Sequence, residues 1–499
     1  MATAAGTAPT SLTRRQLLRS AGLGAVTLGL AGGLGEVAVR AFTSRSAGAQ
    51  PRIPVWRSRP DLKIPGLTVL RSEPGASTDP IFIAPYNAPV GQAGAVIVDG
   101  RGEPIWENPL AGKVTTAFQA QSYRGEPVLT WWEGEIELGH GVGEYVIADA
   151  AYRTIRRVQA DGGLRGDLHE FVITPRDTVL LTSYVVRKAD LSSVGGSRDG
   201  TIQDAIFQEI DLATGRRLLE WHSLDHIPLV ESYAPVGADW DYFHINSVDL
   251  DSDGNLLISS RSTHTIYKLD RRGAILWRLG GKRSDFSMGP GSGFAWQHHA
   301  RRQPDGTLTV FDNGATPAVE RLSRGLILDV DERTMHATLL RQYTHTRILA
   351  GSQGSVQPLP NGNVFVGWGE VPRVSEFDAA GRVVFDAVLG AKYQSYRAFR
   401  MPWSGRPAQA PAIALNRSGP DVTAHVSWNG ATGVHAWQLL AGADATGSLQ
   451  TVASVRAQDF ESALHTDAGG PYFAARALDA NGVELARSPT TRLAETVRL

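Results

Sequence analysis

No cysteine occurs in the 499 residues, which removes disulfides, thiolate metal sites and cysteine nucleophiles together. Charge of neither sign is in excess. Lys and Arg number 49 against 50 Asp and Glu, a net charge of −1, so the composition points to no nucleic-acid partner. Beyond the amino-terminal segment no stretch is long and apolar enough to span a bilayer. A complete calcium loop is also missing: Asp249-Leu250-Asp251-Ser252-Asp253-Gly254 imitates the start of one but lacks the distal glutamate. Neither a metal nor a cofactor is expected. The length leaves room for two or three domains with a sizeable core.

What the chain does have begins at its amino terminus. Thr13-Arg14-Arg15-Gln16-Leu17-Leu18-Arg19 is a twin-arginine pattern. A weakly apolar, Gly/Ala-rich stretch follows from Ala21 to Val39, then an A-x-A site at Ala47-Gly48-Ala49. Residues 1–49 therefore resemble a twin-arginine export signal, the route for proteins that fold before translocation. This implies the twin-arginine translocase as a partner during export and an extracellular, cell-wall-associated or periplasmic location. Retention of the segment as a membrane anchor is the alternative.

Residues 50–84 are Pro-, Arg- and Ser-rich and read as an extended lead-in. From 85 to 395, short β-type runs alternate with Gly, Asp, Asn and Pro. One pattern recurs, beginning at His169 (HEFVITPRD), Asn246 (NSVDLDSDG), His298 (HHARRQPDG) and Gly354 (GSVQPLPNG). Each is a strand-like stretch, a turn ending in Asp or Gly, and a second strand: TVLLTSY, NLLISSR, TLTVFDN and NVFVGWG. Such a pair is a hairpin, and a hairpin brings its open ends together. The column His169, Asn246 and His298, with His244 two residues before Asn246, therefore lies beside the column Tyr184, Arg261, Asn313 and Gly369. A second theme of strand, Asp or Gly turn and strand (VIVDGRGEPIWEN, EIDLATGRRLLEWHS, YKLDRRGAILWRLGG, SEFDAAGRVVFDAVLG) reads as the outer hairpin of a four-stranded unit. Four-stranded repeats of this length are the mark of a β-propeller. About six units are expected, starting near 91, 117, 167, 242, 294 and 351. The first two are least regular, so five or seven remain compatible. In a ring, three histidines, an arginine and an asparagine converge on one face, which makes an anion site with a nucleophile. Trp106, Trp221 and Trp277, at strand ends, read as packing between units.

Composition shifts near 390. Residues 396–412 form a Pro-rich linker, and 413–499 read as a small β-sandwich. Within it Val422–Trp428 alternates, and Tyr472–Gly482 resembles the penultimate strand and hairpin of a fibronectin type III/Ig-like domain. The fold class expected is all-β: a six-bladed β-propeller followed by this sandwich.

The elements HINSVDLDSDGNLLISSR, WRLGGKRSDF, FAWQHHARRQPDGTLTVFDNG and GSQGSVQPLPNGNVFVGWGE resemble the bacterial arylsulfate sulfotransferases, more closely the actinobacterial and fungal branch of arylsulfotransferases. The resemblance covers about residues 80–395. It implies a six-bladed propeller with a central funnel. It implies sulfuryl transfer from a phenolic sulfate ester to a phenol, through a sulfated histidine and without phosphoadenosine phosphosulfate. By position it implies His298, after Gln297, as nucleophile, with His244, Asn246, Arg261 and His169 around the sulfuryl group. His299 is a rival by sequence, although the repeat column favours His298 and only one of two successive strand residues faces the funnel. The amino-terminal sandwich of the enterobacterial enzymes has no room here.

The chemistry suits these residues. A neutral imidazole attacks without repelling sulfuryl oxygens and yields a product that remains a donor. Arg261 would clamp two oxygens and Asn246 would donate another hydrogen bond. His169 or His244 would protonate the departing phenolate and then deprotonate the incoming phenol. Hairpin geometry adds Tyr184, Asn313 and Trp368 as candidates for binding substrate. Two other functions fit the same residues: an aryl sulfate hydrolase with water as acceptor, and a non-catalytic ligand-binding propeller.

Overall fold

The computed structural model describes residues 53–87, 90–467 and 470–493, which fall within one compact unit. The twin-arginine segment lies outside the described residues. The architecture is almost wholly β, and helical turns are confined to short pieces such as Ser223–His226.

Small antiparallel sheets succeed one another along the chain, numbered here in that order. Sheet 1 holds Ile81–Ile83, Gly94–Val98 and Pro104–Pro109. Sheet 2 holds Val114–Tyr123, Glu126–Glu137, His140–Ala148 and Thr154–Val158. Sheet 3 runs from Phe171 to His222, sheet 4 from Ile245 to Gly280, sheet 5 from His298 to Thr344, and sheet 6 from Ser355 to Val388. In sheets 2 to 6 the first strand pairs with the second, the second with the third and the third with the fourth. The two ends of this region interlock. The late strand Ala398–Arg400 pairs with Ile81–Ile83 in sheet 1, and the early strand Thr68–Ser72 pairs with Val383–Val388 in sheet 6.

Side-chain hydrogen bonds tie each sheet to the next. Ala120 N in sheet 2 donates to the sulfur of Met401, next to the closing strand of sheet 1 (3.3 Å). Thr116 Oγ1 donates to Leu168 O at the entry to sheet 3 (2.8 Å), and Tyr184 Oη to Ile245 O in sheet 4 (2.6 Å). Asn246 Nδ2 donates to Gln297 O before sheet 5 (2.7 Å), and Asn313 Nδ2 to Gln353 O before sheet 6 (3.0 Å). Ser355 Oγ donates to Ala398 O, back in sheet 1 (2.9 Å). The succession returns to its start, as in propeller-like β folds. Apolar faces of neighbouring sheets fill the space between; Trp221, for example, is buried with Phe207, Phe243 and Tyr267 and its indole N–H reaches Gly273 O (3.2 Å).

Four of the six outer hairpins, those of sheets 1, 2, 4 and 6, are closed by one local device. Asp99, Asp149, Asp270 and Asp378 each accept two backbone N–H groups, two and four residues on, with one carboxylate oxygen. Three residues beyond Asp270 and Asp378, Gly273 and Gly381 take the positive φ that the turn requires (90° and 78°). The loop resembling a calcium site is filled from within the protein. Lys268 Nζ lies 3.0 Å from Asp251, 2.8 Å from Asp253 and 2.9 Å from Glu332, so an ammonium stands where an ion would.

Past residue 412, two further sheets pack face to face. One comprises Ala412–Ser418, Asp421–Ser427 and Glu461–Thr466; the other is built on Ala436–Gly442, Gln450–Arg456, Tyr472–Leu478 and Glu484–Arg487. Trp428, Trp437, Leu439, Leu464 and Phe473 form their shared core. Asn429 anchors this pair of sheets to sheet 1 through reciprocal bonds with the Glu107 backbone (both 2.9 Å).

Candidate active site

The entries to the first strands of sheets 3 and 4 and the start of the first strand of sheet 5 bring His169, His244 and His298 into one cluster. Ring centroids are 4.7 Å apart for His169 and His244, and 6.4 Å for His244 and His298. Backbone irregularity aims them. His244 has φ of 54°, and the pairing register shifts between Ile245 and Ser247 and again between His298 and Arg301. Such bulges turn a strand's side chains locally. His299, with φ of 54°, leaves the cluster: its Nδ1 accepts the Val356 N–H (3.3 Å) and its ring lies beside Phe399.

The tautomer of His298 follows from its partners. Asn313 uses its amide N–H groups on Ala350 O and Gln353 O (both 3.0 Å), so its Oδ1 faces the imidazole. His298 Nδ1–H donates to that oxygen (2.7 Å), and Gln353 N–H points at Nε2 (3.3 Å). Nε2 therefore carries the lone pair. Burial, helped by the charge of Arg261, holds His298 well below the ordinary imidazole range, so it is neutral at neutral pH.

The other histidines are held by carboxylates. His169 Nδ1–H donates to Asp167 Oδ2 (2.6 Å), and Asp167 also takes the Gly141 N–H (2.6 Å). His244 Nδ1–H makes a very short bond to Asp241 Oδ2, an atom that also lies 3.2 Å from Nε2 of a fourth imidazole, His140. Burial lowers His244 to about 4 despite the Asp241 charge. His140 moves the other way: burial depresses it, but the charge and hydrogen bond of Asp241 and the charge of Asp167 outweigh that and raise it. Burial alone would raise Asp167, yet the neighbouring imidazoles bring it down to about 2, and Asp241 is likewise held well below the carboxylate range.

Arg261 stands at the end of the second strand of sheet 4, where its N–H bonds His244 O (2.9 Å). Its guanidinium lies over the Trp296 ring (4.8 Å) and donates to Gly351 O (3.1 Å); no carboxylate pairs with it among the described residues. Tyr184 lies against His140 with the rings tilted by 39° (3.9 Å), and Tyr396 meets His169 and His298 edge-on. Asn246 is fully buried; its Nδ2 is spent on Gln297 O, the carbonyl preceding His298, and its Oδ1 has no partner. Trp368 sits apart. It is buried with Phe311 and Phe377, and its indole N–H bonds Ser375 (3.0 Å). The partial exposure of His244, Tyr184 and Arg261 marks the side from which the cluster is reached.

An ionic network abuts the histidines. Glu170, fully buried, accepts from both amino groups of Arg397 (2.8 and 3.2 Å) and from Arg301. Arg397 also donates to His169 O (3.0 Å) and Asn246 O (2.9 Å). Burial would raise Glu170, but the two guanidinium groups keep it ionised.

Two groups, His140 with Asp167 and His169, and His140 with Asp241 and His244, bring donor atoms within 4.8 Å of one another. In each, the carboxylate oxygen is already taken by an imidazole N–H at hydrogen-bond distance, so neither is assigned to an ion. Asp167, Asp241, His140 and Tyr396 are site residues that the repeat column does not contain. The spacings Asp167-x-His169 and Asp241-x-x-His244 were the available signal.

The sequence model of the family described as Arylsulfotransferase (ASST) matches residues 119–390. No curated protein matches the chain. Among solved structures, a Bacteroides caccae protein of unknown function is 13% identical over 64% of this chain and 98% of that one, with a TM-score of 0.40. A Lactobacillus plantarum protein is 14% identical over 78% and 99%, with a TM-score of 0.36. A streptogramin B lyase is 7% identical over 78% and 99%, with a TM-score of 0.31.

Proposed function

Given that this chain belongs to the arylsulfotransferase (ASST) family, we propose that it moves a sulfuryl group from a phenolic sulfate ester to a phenol by way of sulfated His298. In this reading the six ring sheets are the six blades of a propeller, and the two late sheets are a fibronectin type III-like domain. The observation that carries the reading is the state of His298. A neutral imidazole is held by Asn313 with its lone pair on Nε2, where the one partner is the Gln353 N–H at 3.3 Å that an incoming sulfuryl group must displace, close to a guanidinium with which no carboxylate pairs among the described residues.

The steps balance. His298 Nε2 attacks sulfur, the S–O bond to the aryl group breaks, and an S–N bond forms. The phenolate takes a proton from His169 and leaves. The acceptor phenol then gives its proton to neutral His244 and attacks sulfur, the S–N bond breaks, and the proton passes from His244 back to His169, the two rings lying 4.7 Å apart. Arg261 holds the sulfuryl oxygens, as the transfer of a loosely bonded, metaphosphate-like group requires positioning and charge more than activation. Asn246 contributes by fixing the Gln297 carbonyl next to the nucleophile, and its single amide nitrogen leaves at most one N–H for substrate. Export by the twin-arginine translocase places the reaction outside the cytoplasm.

The test uses a donor that releases a coloured phenol. Mass spectrometry after donor alone should find one added sulfuryl group, acid-labile, on the peptide containing His298, and release should depend on added phenol with ping-pong kinetics. Release that ignores added phenol would make the protein a hydrolase. Intersecting kinetics without an adduct would make the transfer direct.

A further inference from the structure

We infer that His140 is a positioning residue that sets the protonation state of His244 through the carboxylate they share, Asp241. The inference rests on reading His244 as a proton-transfer group of the site.

His140 belongs to none of the strands that carry the other histidines. It arrives from sheet 2, at the start of His140–Ala148, and glycines make the arrival possible. A Cβ on Gly134, Gly141 or Gly143 would lie 2.6–2.7 Å from the Trp132 ring, and one on Gly141 would lie 2.4 Å from Leu168 N. Without those side chains the hairpin closes over Trp132 and against the entry to sheet 3, where Gly141 N–H is held by Asp167. His140 then lies with its ring 5.3 Å from His244 and 6.0 Å from His169. It is buried, with 6% of its surface exposed, and its Nδ1 has no hydrogen-bond partner.

Asp241 Oδ2 thus faces two imidazoles. A buried carboxylate beside one imidazole favours the imidazolium, because the opposite charge stabilises it. Shared between two, it can offset only one positive charge fully. The groups facing His140 are Asp241, Asp167, His169, His244 and Tyr184; those facing His244 are Asp241, His140, His169, His298 and Tyr184, with Arg261, whose N–H bonds the His244 carbonyl and whose charge also meets Asp241. Two carboxylates flank His140, whereas His244 has one carboxylate and three imidazoles. The proton therefore resides on His140. His244 stays neutral, donates Nδ1–H to Asp241 and presents its Nε2 lone pair, the form that accepts the proton of an incoming phenol. The opposite directions in which the two imidazoles are driven agree with this division.

The experiment follows imidazole resonances during pH titration of the resting protein, with histidine-selective isotope labelling and assignment by single substitutions. In the wild type His140 should titrate above His244. In His140→Gln, which keeps an N–H for Asp241 but no charge, the His244 midpoint should rise by about one pH unit, roughly a tenfold gain in proton affinity. In an Asp241→Asn background the same substitution should produce no rise. The acidic limb of the acceptor-dependent kcat/KM should move up with the midpoint, which a merely structural loss would not do. A His244 that titrates above His140 in the wild type overturns the inference, and that comparison stands even if the variant does not fold. So does an unmoved His244 midpoint in a folded His140→Gln protein. A moved midpoint in a protein that transfers no sulfuryl group would uphold the coupling and instead defeat the proposed reaction.

Discussion

Replacing Glu170 by Gln should destabilise the protein by about 3 kcal/mol. The carboxylate is fully buried and answers two guanidinium groups, Arg397 with two bonds and Arg301 with one. Removing one partner of a buried ion pair typically costs about 3–5 kcal/mol, because the charge left behind has no water. The low end applies here. Arg397 would keep the carbonyls of His169 and Asn246, while Arg301 would keep the Ala300 carbonyl and has Asp249 at 3.4 Å. About 3 kcal/mol is roughly a 150-fold change in the folding equilibrium. Urea unfolding of the full chain, followed by tryptophan fluorescence, reads it. Arg153→Ala is the control: Arg153 is 69% exposed and its bond to Asp149 spans 2.7 Å, so its loss should cost about 0.5 kcal/mol or less. A Glu170→Gln protein within about 1 kcal/mol of wild type would refute the reasoning, since it would mean that the buried guanidinium groups are satisfied without the carboxylate.

Acid should loosen the fold through histidines before it reaches the carboxylates. Burial holds His244 and His264 at about 4 against an ordinary 6.5, and His298 and His299 well below it. Their stabilising contribution is complete above pH 6.5 and disappears as the pH falls towards 4, on the order of 3 kcal/mol for each of the first two. His140, raised, offsets part of this below its own midpoint, and Asp167 and Asp251, held at about 2, fail only below about pH 3.8. Melting temperatures measured from pH 7 to 4.5 should therefore fall, and a flat profile would count against buried neutral imidazoles. His298→Ala should abolish phenol release with the fold retained, and His299→Ala should not; the reverse result in a release assay would move the nucleophile. Lysine at both Arg14 and Arg15 should leave precursor inside the cell, as fractionation and immunoblotting would show, and undiminished secretion would contradict the export reading.

Much of the site can be read along the chain because hairpins are local. His298 and Asn313 begin and end one hairpin and hydrogen-bond to each other; His244 O and Arg261 N close another. Even the glycine pair obeys this, since a Cβ on Gly369 would lie 2.8 Å from Gly354 N. What periodicity cannot supply is the effect of a bulge or a turn. The shift between His298 and Arg301 decides where His299 goes, and the turn that bonds Trp368 N to Arg373 O carries that indole into an apolar cluster. His140 is hidden for another reason: it comes from the least regular part of the repeat, and its position depends on three glycines that make room for one tryptophan.

The interlocking of the two ends has a consequence for how the protein comes into being. Sheet 1 lacks its fourth strand until Ala398–Arg400 has been synthesised, some three hundred residues after Ile81–Ile83 emerges from the ribosome. Contacts between such distant partners form late, after the entropy of a very long loop has been overcome. Arg397, the residue just before that strand, is also the one whose guanidinium holds the carbonyl of His169. A nascent or prematurely terminated chain can therefore assemble most of its sheets and still have an unfinished centre. The proposed site is completed only with the last turn of the ring, so if a cell exports this protein already folded, it exports it with that site already assembled.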